Sequence, residues 1–90
     1  MVKIKVKKVI DGDTFQDTHN RFFRLADVNT PEKKTKGYGK AKEILKQMID
    51  KKELIIKIEG KSYNRKVVEA RKPGEKTTIN EKMVRKGYQQ

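Results

Sequence analysis

The sequence predicts a small α+β domain, mainly β, with the element order βββ-α-ββ-α and one longer and one short helix. Three observations predict it. Apolar residues alternate with period two at Val2, Ile4 and Val6 and again at Leu54, Ile56 and Ile58, the pattern of half-buried strands. A helical stripe separates these two regions. The chain has 90 residues, about one-third of them apolar, which suffices for one core and not for two.

Val2, Ile4 and Val6 alternate with Lys3, Lys5 and Lys7, and Asp11-Gly12 follows as a hairpin signal, so strand, turn and strand open the chain. A second turn at Asp17-Thr18-His19-Asn20 leads into a third strand over Arg21 to Val28, with Phe23 and Leu25 on one face and Phe22, Arg24 and Ala26 on the other. Lys33 to Gly37 reads as a mobile, lysine-rich connection. From Tyr38 to Asp50, residues Ala41, Ile44, Leu45, Met48 and Ile49 recur at helical spacing and describe one amphipathic stripe. Leu54, Ile56 and Ile58 form a fourth strand, Gly60 to Asn64 a turn, and Lys66 to Arg71 a fifth strand ending at a Pro73-Gly74 turn. Thr78 and Glu81 make a capping box for a short helix carrying Ile79, Met83 and Val84, closed by Gly87. This order suits a five-stranded barrel of the oligonucleotide-binding (OB-fold) kind, although other α+β folds share it.

Twenty-four basic residues against 12 acidic ones leave a net charge of +12, which points to a polyanionic partner, nucleic acid first. A lysine surface kept for solubility is the alternative reading of charge alone. The distribution is more telling than the total. Residues 1–10 carry +4 and residues 33–90 carry +11, whereas 11–32 carry −3, with five acids against Arg21 and Arg24. Carboxylates set in a basic surface weaken phosphate binding by repulsion unless a cation lies between acid and phosphate. The absence of cysteine excludes disulfides, zinc-thiolate sites and cysteine nucleophiles, and the single His19 cannot build a histidine cluster, which leaves oxygen-ligated metals. No apolar run approaches the ~20 residues of a membrane span and the first residues resemble no signal peptide. A membrane is not expected as a partner, and an intracellular monomer is the default.

Four motifs in order carry a resemblance: Val9-Ile10-Asp11-Gly12-Asp13-Thr14; Arg24-Leu25 leading to Asn29-Thr30-Pro31-Glu32; Tyr63-Asn64-Arg65; and Ile79-Asn80 with Val84 and Gly87-Tyr88. Together they resemble the successive signatures of the staphylococcal nuclease (thermonuclease) family, from about residue 2 to residue 88. The resemblance implies a single nuclease-like OB-fold domain over residues 1–90 and calcium-dependent hydrolysis of phosphodiester bonds in DNA and RNA. By resemblance Arg24 and Arg65 are the two catalytic arginines, whose planar guanidinium forks suit phosphate oxygens better than lysine does. Glu32 matches the carboxylate that activates or orients water. Asp13, Asn29 and Thr30 match the metal ligands, supplying one carboxylate, one side-chain position and a backbone carbonyl, and Tyr63 matches a substrate contact. Read without the motifs, Arg24 suits a strand-face ion pair with Asp27 or another acid, and Pro31-Glu32 suits a helix or turn start. Asp11 and Thr14 are expected to hold the turn through backbone amides.

The sequence also departs from the pattern. Asn29 stands where the family has aspartate, which removes a charge and predicts weaker calcium binding. Lys61 stands where an acid is usual, and Asn64 replaces a glycine at a turn that asparagine can adopt in a left-handed conformation. The final helix of longer members is missing and the loop after Glu32 is short. Two functions follow. One is a calcium-dependent phosphodiesterase acting on single-stranded or loosened DNA or RNA, for which both arginines and Glu32 speak. The other is a binding module of the same fold, whose basic surface and Tyr38, Tyr63 or Tyr88 hold nucleic acid or a partner protein, for which Asn29 speaks.

Overall fold

The computed structural model describes residues 1–89. Five strands, β1 (Val2–Asp11), β2 (Thr14–Asp17), β3 (Phe22–Leu25), β4 (Glu53–Ser62) and β5 (Arg65–Arg71), close into a barrel in the order β1-β2-β3-β5-β4. All neighbours are antiparallel except β3 and β5, which run parallel. Helix α1 (Tyr38–Ile49) lies between β3 and β4 in the chain, and α2 (Ile79–Arg85) follows β5. This is the OB-type α+β barrel that the element order predicts.

The alternating residues do what their period requires. Ile4, Val6, Leu54, Ile56, Val68 and Ala70 point inward and meet Phe23 and Leu25 in one core. Phe15 and Phe23, partners across β2 and β3, stack with ring centroids 5.6 Å apart. Ala41, Leu45 and Ile49 bury the stripe of α1, and Ile79 and Met83 that of α2.

Polar anchors fix the ends of these elements. Asp17 is wholly buried; its carboxylate accepts from the amides of His19 and Arg21 and from the Arg21 side chain, closing the β2–β3 turn. Burial alone would push the Asp17 carboxyl up, but these donors and the Arg21 charge outweigh it and hold the group below its ordinary value. Buried Asn80 accepts from the amide of Ala70 and donates to the carbonyls of Ala26 and Val68, tying α2 to β5 and the end of β3. Thr78 caps α2 by accepting from the amide of Glu81. Glu81 does not reciprocate as a capping box would; its carboxylate pairs instead with Arg85. Gly87, at φ 100°, reverses the chain after α2, so that the amides of Gly87 and Tyr88 reach the carbonyls of Val84 and Met83.

Three expectations need correction. Gly60 does not begin a turn: β4 continues to Ser62, and the glycine sits at a ladder irregularity between Ile58 and Gly60 where a bulge absorbs it. The turn is Tyr63-Asn64 alone, and its left-handed residue is Tyr63, at φ 55°, not Asn64. The third strand stops at Leu25, because Asp27 turns the chain with φ 62°; Val28 returns to extended pairing only as a single bridge with Gln89.

Candidate active site

Four separate segments meet at one end of the barrel. The end of β1 and the following turn bring Asp11 and Asp13, β3 brings Arg24, the segment after it brings Asn29 to Glu32, and the start of β5 brings Arg65. These line a polar cavity of about 270 Å³. All six residues matched to catalysis and metal binding therefore border one cavity. Tyr63 does not; it stands at the hairpin tip, 88% exposed, outside the lining.

The β1–β2 turn is built to present its carboxylates. Asp11 accepts from the amide of Asp13 at 3.2 Å, as a turn-holding Asp should. Thr14 differs from expectation. Its hydroxyl bonds no backbone amide: it donates to Asp13 at 2.9 Å and accepts from Arg65 Nη1 at 3.2 Å, joining the acid and basic sides of the cavity. Periodicity carries no signal for such a link. Between the two acids, Gly12 is buried, and a Cβ there would stand 2.7 Å from Thr30 Oγ1 and 2.8 Å from the Cβ of Ala41. Only a glycine lets the turn, the Thr30 segment and α1 close together. Tyr38 adds a second tie, its hydroxyl donating to the carbonyl of Ile10 at 3.0 Å.

Arg24 projects away from the core as the alternation of β3 requires. It is fixed by bonds to the carbonyls of Leu25 and Val28 and by an ion pair with Asp13 at 3.4 Å, the acid partner being Asp13 and not Asp27. A guanidinium carries five N–H donors, so part of the fork is uncommitted. Glu32 is exposed at the rim, and its backbone carbonyl accepts from both the amide and the hydroxyl of Thr35. The amide of Asn29 donates to the carbonyl of Tyr88 at 2.8 Å, so the chain after α2 holds this edge of the cavity.

Three carboxylates face two guanidinium groups here. Burial first, and then the hydrogen bond and charge of Asp11, push Asp13 up from 3.8 to about 6, with the Thr14 hydroxyl and Arg24 offsetting part of the shift. A carboxyl raised by a neighbouring acid, beside amide and hydroxyl oxygens, fits a hard divalent cation, which would relieve the repulsion. No group of three or more His, Cys, Asp or Glu side chains is arranged around a common metal position among the described residues. The donor set is therefore sparse, and a cation would depend on carbonyl, water and substrate oxygens. A second cleft of about 470 Å³ shares Arg24 as a wall and is bordered by Asp27, Glu59, Lys61 and Glu69. It holds none of Asp13, Asn29, Thr30, Glu32 and Arg65, so only the smaller cavity gathers the six matched residues.

A search of curated proteins returns no match. A comparison with protein-family models aligns residues 22–90 with the family described as staphylococcal nuclease homologue. The matched span holds β3 with Arg24, the Asn29-to-Glu32 segment, Arg65 and both helices, and the barrel is of the type the resemblance implies. The chain belongs to the staphylococcal nuclease homologue family.

Proposed function

We propose that the protein hydrolyses phosphodiester bonds of single-stranded DNA or RNA with a divalent cation, calcium by preference. The observation supporting this most strongly is the convergence of Arg24, Arg65, Asp13 and Glu32 on one cavity from distant parts of the chain. Hydrolysis adds water across a P–O bond. The water oxygen ends on phosphorus, the bond to the leaving oxygen breaks, and the proton lost by water is restored to the leaving oxygen through solvent.

In this reading Arg24 and Arg65 hold the non-bridging phosphate oxygens and stabilise the charge that grows on them in the transition state. Their contacts to Leu25, Val28, Asp13 and Thr14 orient the forks before substrate arrives. Glu32, at the rim where water has access, orients the attacking water and accepts its proton. Asp13, Asn29 and Thr30 hold the cation, with Asp11 adding charge beside Asp13. When bound, the cation supplies neutralisation of phosphate charge.

The test is cleavage of single-stranded DNA and RNA with calcium, repeated with chelator and with Arg65→Ala. Metal-dependent cleavage by the native protein, lost in both controls, is expected; equal products from native and Arg65→Ala protein would refute the assignment. Asn29 at a ligand position supports a second reading, a module that binds nucleic acid without cutting it. Salt-sensitive oligonucleotide binding with no cleavage in calcium would select that reading.

A further inference from the structure

The strand that carries Arg24 also leaves an aromatic ring uncovered. Phe22 and Arg24 stand two residues apart on β3 and project to the same outer side, roughly 7 Å apart along the strand. Phe23 between them is buried, whereas Phe22 is 39% exposed. The core does not need this ring, because Phe23 and Leu25 fill the inner side of β3. Its neighbours are polar or basic. The ladder sets Gln16 of β2 opposite Phe22 and Lys8 of β1 opposite Gln16. A register shift between Val6 and Lys8 leaves Lys7 and Lys8 both exposed. Lys7 donates to Asn20, and neither lysine makes an ion pair among the described residues. Asp17, the acid of β2, is buried and taken up by Arg21.

This outer strip leads into the smaller cavity. Two residues along the same ladder from the Gln16–Phe22 pair, Thr14 is the partner of Arg24. By the register that pairs Phe23 with Lys66 and Arg24 with Val67, Arg65 is level with Phe22 on the next strand. Arg65 bonds Thr14 on β2, so its side chain crosses the outer face of β3, between Phe22 and Arg24. A phosphate held by both arginines would therefore lie beside an exposed ring. The base of a nucleotide is joined to its phosphate through a single sugar, a reach that matches the two-residue step from Arg24 to Phe22.

We infer that Phe22 is a stacking platform for a nucleobase, that of the nucleotide joined to the phosphate at Arg24 and Arg65. This rests on the nucleic-acid reading above and adds how an unpaired base is held on the outer face of β3. Every base has a π face, so the ring holds the strand without selecting its sequence. Paired bases hide those faces in the duplex stack, so the platform favours single strands.

The experiment measures binding in chelator by fluorescence anisotropy, with two labelled single strands of equal length, one of ordinary DNA and one abasic throughout. The native protein is compared with Phe22→Leu, which keeps apolar bulk without a π face, and with Phe22→Trp. Phe22→Leu should weaken binding of the ordinary strand about fivefold or more. Its affinity for the abasic strand and its salt slope should stay native, because no phosphate contact is lost. The chain has no tryptophan of its own, so Phe22→Trp supplies a single reporter. That variant should keep native affinity, and its emission should be quenched by the ordinary strand and not by the abasic one. Native affinity in Phe22→Leu together with unquenched emission in Phe22→Trp would overturn the platform and leave the nucleic-acid reading intact. Equal losses on both strands would overturn it too, by showing that the ring only supports Arg65. Failure of the native protein to bind either strand would overturn both readings.

Discussion

Arg65 and Thr14, 51 positions apart in the chain, are joined by a hydrogen bond of 3.2 Å, and the same hydroxyl donates to Asp13. One small side chain therefore sets the spacing between Asp13 and Arg65, which in the proposed reading face the cation and the phosphate. Thr14→Val keeps the shape and removes both bonds. It should cost about 1–3 kcal/mol of stability because buried partners are left unpaired. It should also lower the cleavage rate by roughly tenfold to a hundredfold through a displaced Arg65. Thr14→Ser should restore both. Denaturant melts and single-turnover rates check this, and an unchanged rate in the valine variant would show that the link is structural only.

Gly12 leaves no room for a methyl group between Thr30 and Ala41. Gly12→Ala should destabilise the protein by about 1–3 kcal/mol through overpacking and weaken cation binding by moving Thr30 away from Asp13. Adding Ala41→Gly should recover part of the stability by relieving the helix side. Calorimetric titration with calcium alongside thermal melts separates the two effects; full stability in the single variant would contradict the tight packing.

Asn29→Asp adds a carboxylate to a cavity already bordered by Asp11, Asp13 and Glu32. The sign of its effect should depend on calcium. Without the cation the added repulsion lowers the melting temperature; with it, calcium affinity rises about tenfold or more and the melting temperature exceeds that of the native protein. Melts in chelator and in calcium decide this, and curves shifted the same way in both would place residue 29 outside the cation's reach.

Asp17 makes stability depend on pH in a known direction. Its folded-state carboxyl is held below the ordinary value of 3.8, so the stability it contributes is fully present above 3.8 and is lost as pH falls through the lower folded value. Asp17→Asn should cost about 1–3 kcal/mol near neutral pH and flatten the stability profile below pH 4. Urea titrations across that range measure it; an equally steep acid limb in the variant would assign the loss to other carboxylates.

The barrel was legible where period alone decides the structure. The alternation in β1 and β4 and the stripe from Ala41 to Ile49 fix which side is buried whatever the partner. Gly60 misled because a glycine reads as a chain breaker from sequence, while a ladder with a bulge accommodates it and lets β4 run two residues further. Tyr63 could not be read as the left-handed residue, since an aromatic side chain gives no sign of that conformation. At the site, the family resemblance pointed to Arg24, Glu32, Arg65, Asp13, Asn29 and Thr30, which border one cavity. The supports of the site were hidden. Thr14 is a common residue whose partner lies on another strand, and Tyr88 acts on Asn29 through a backbone carbonyl, which no side-chain pattern can reveal.

The bond from Asn29 to Tyr88, with the bridge between Val28 and Gln89, ties the rim of the cavity to the segment that follows α2. Segments outside the sheet, joined to it by few bonds, open at lower free energy than the strands of a closed barrel. On warming, release of this segment would slacken Asn29 and Thr30 while the sheet stays intact. Catalysis should then fade several degrees before the far-ultraviolet signal of the fold.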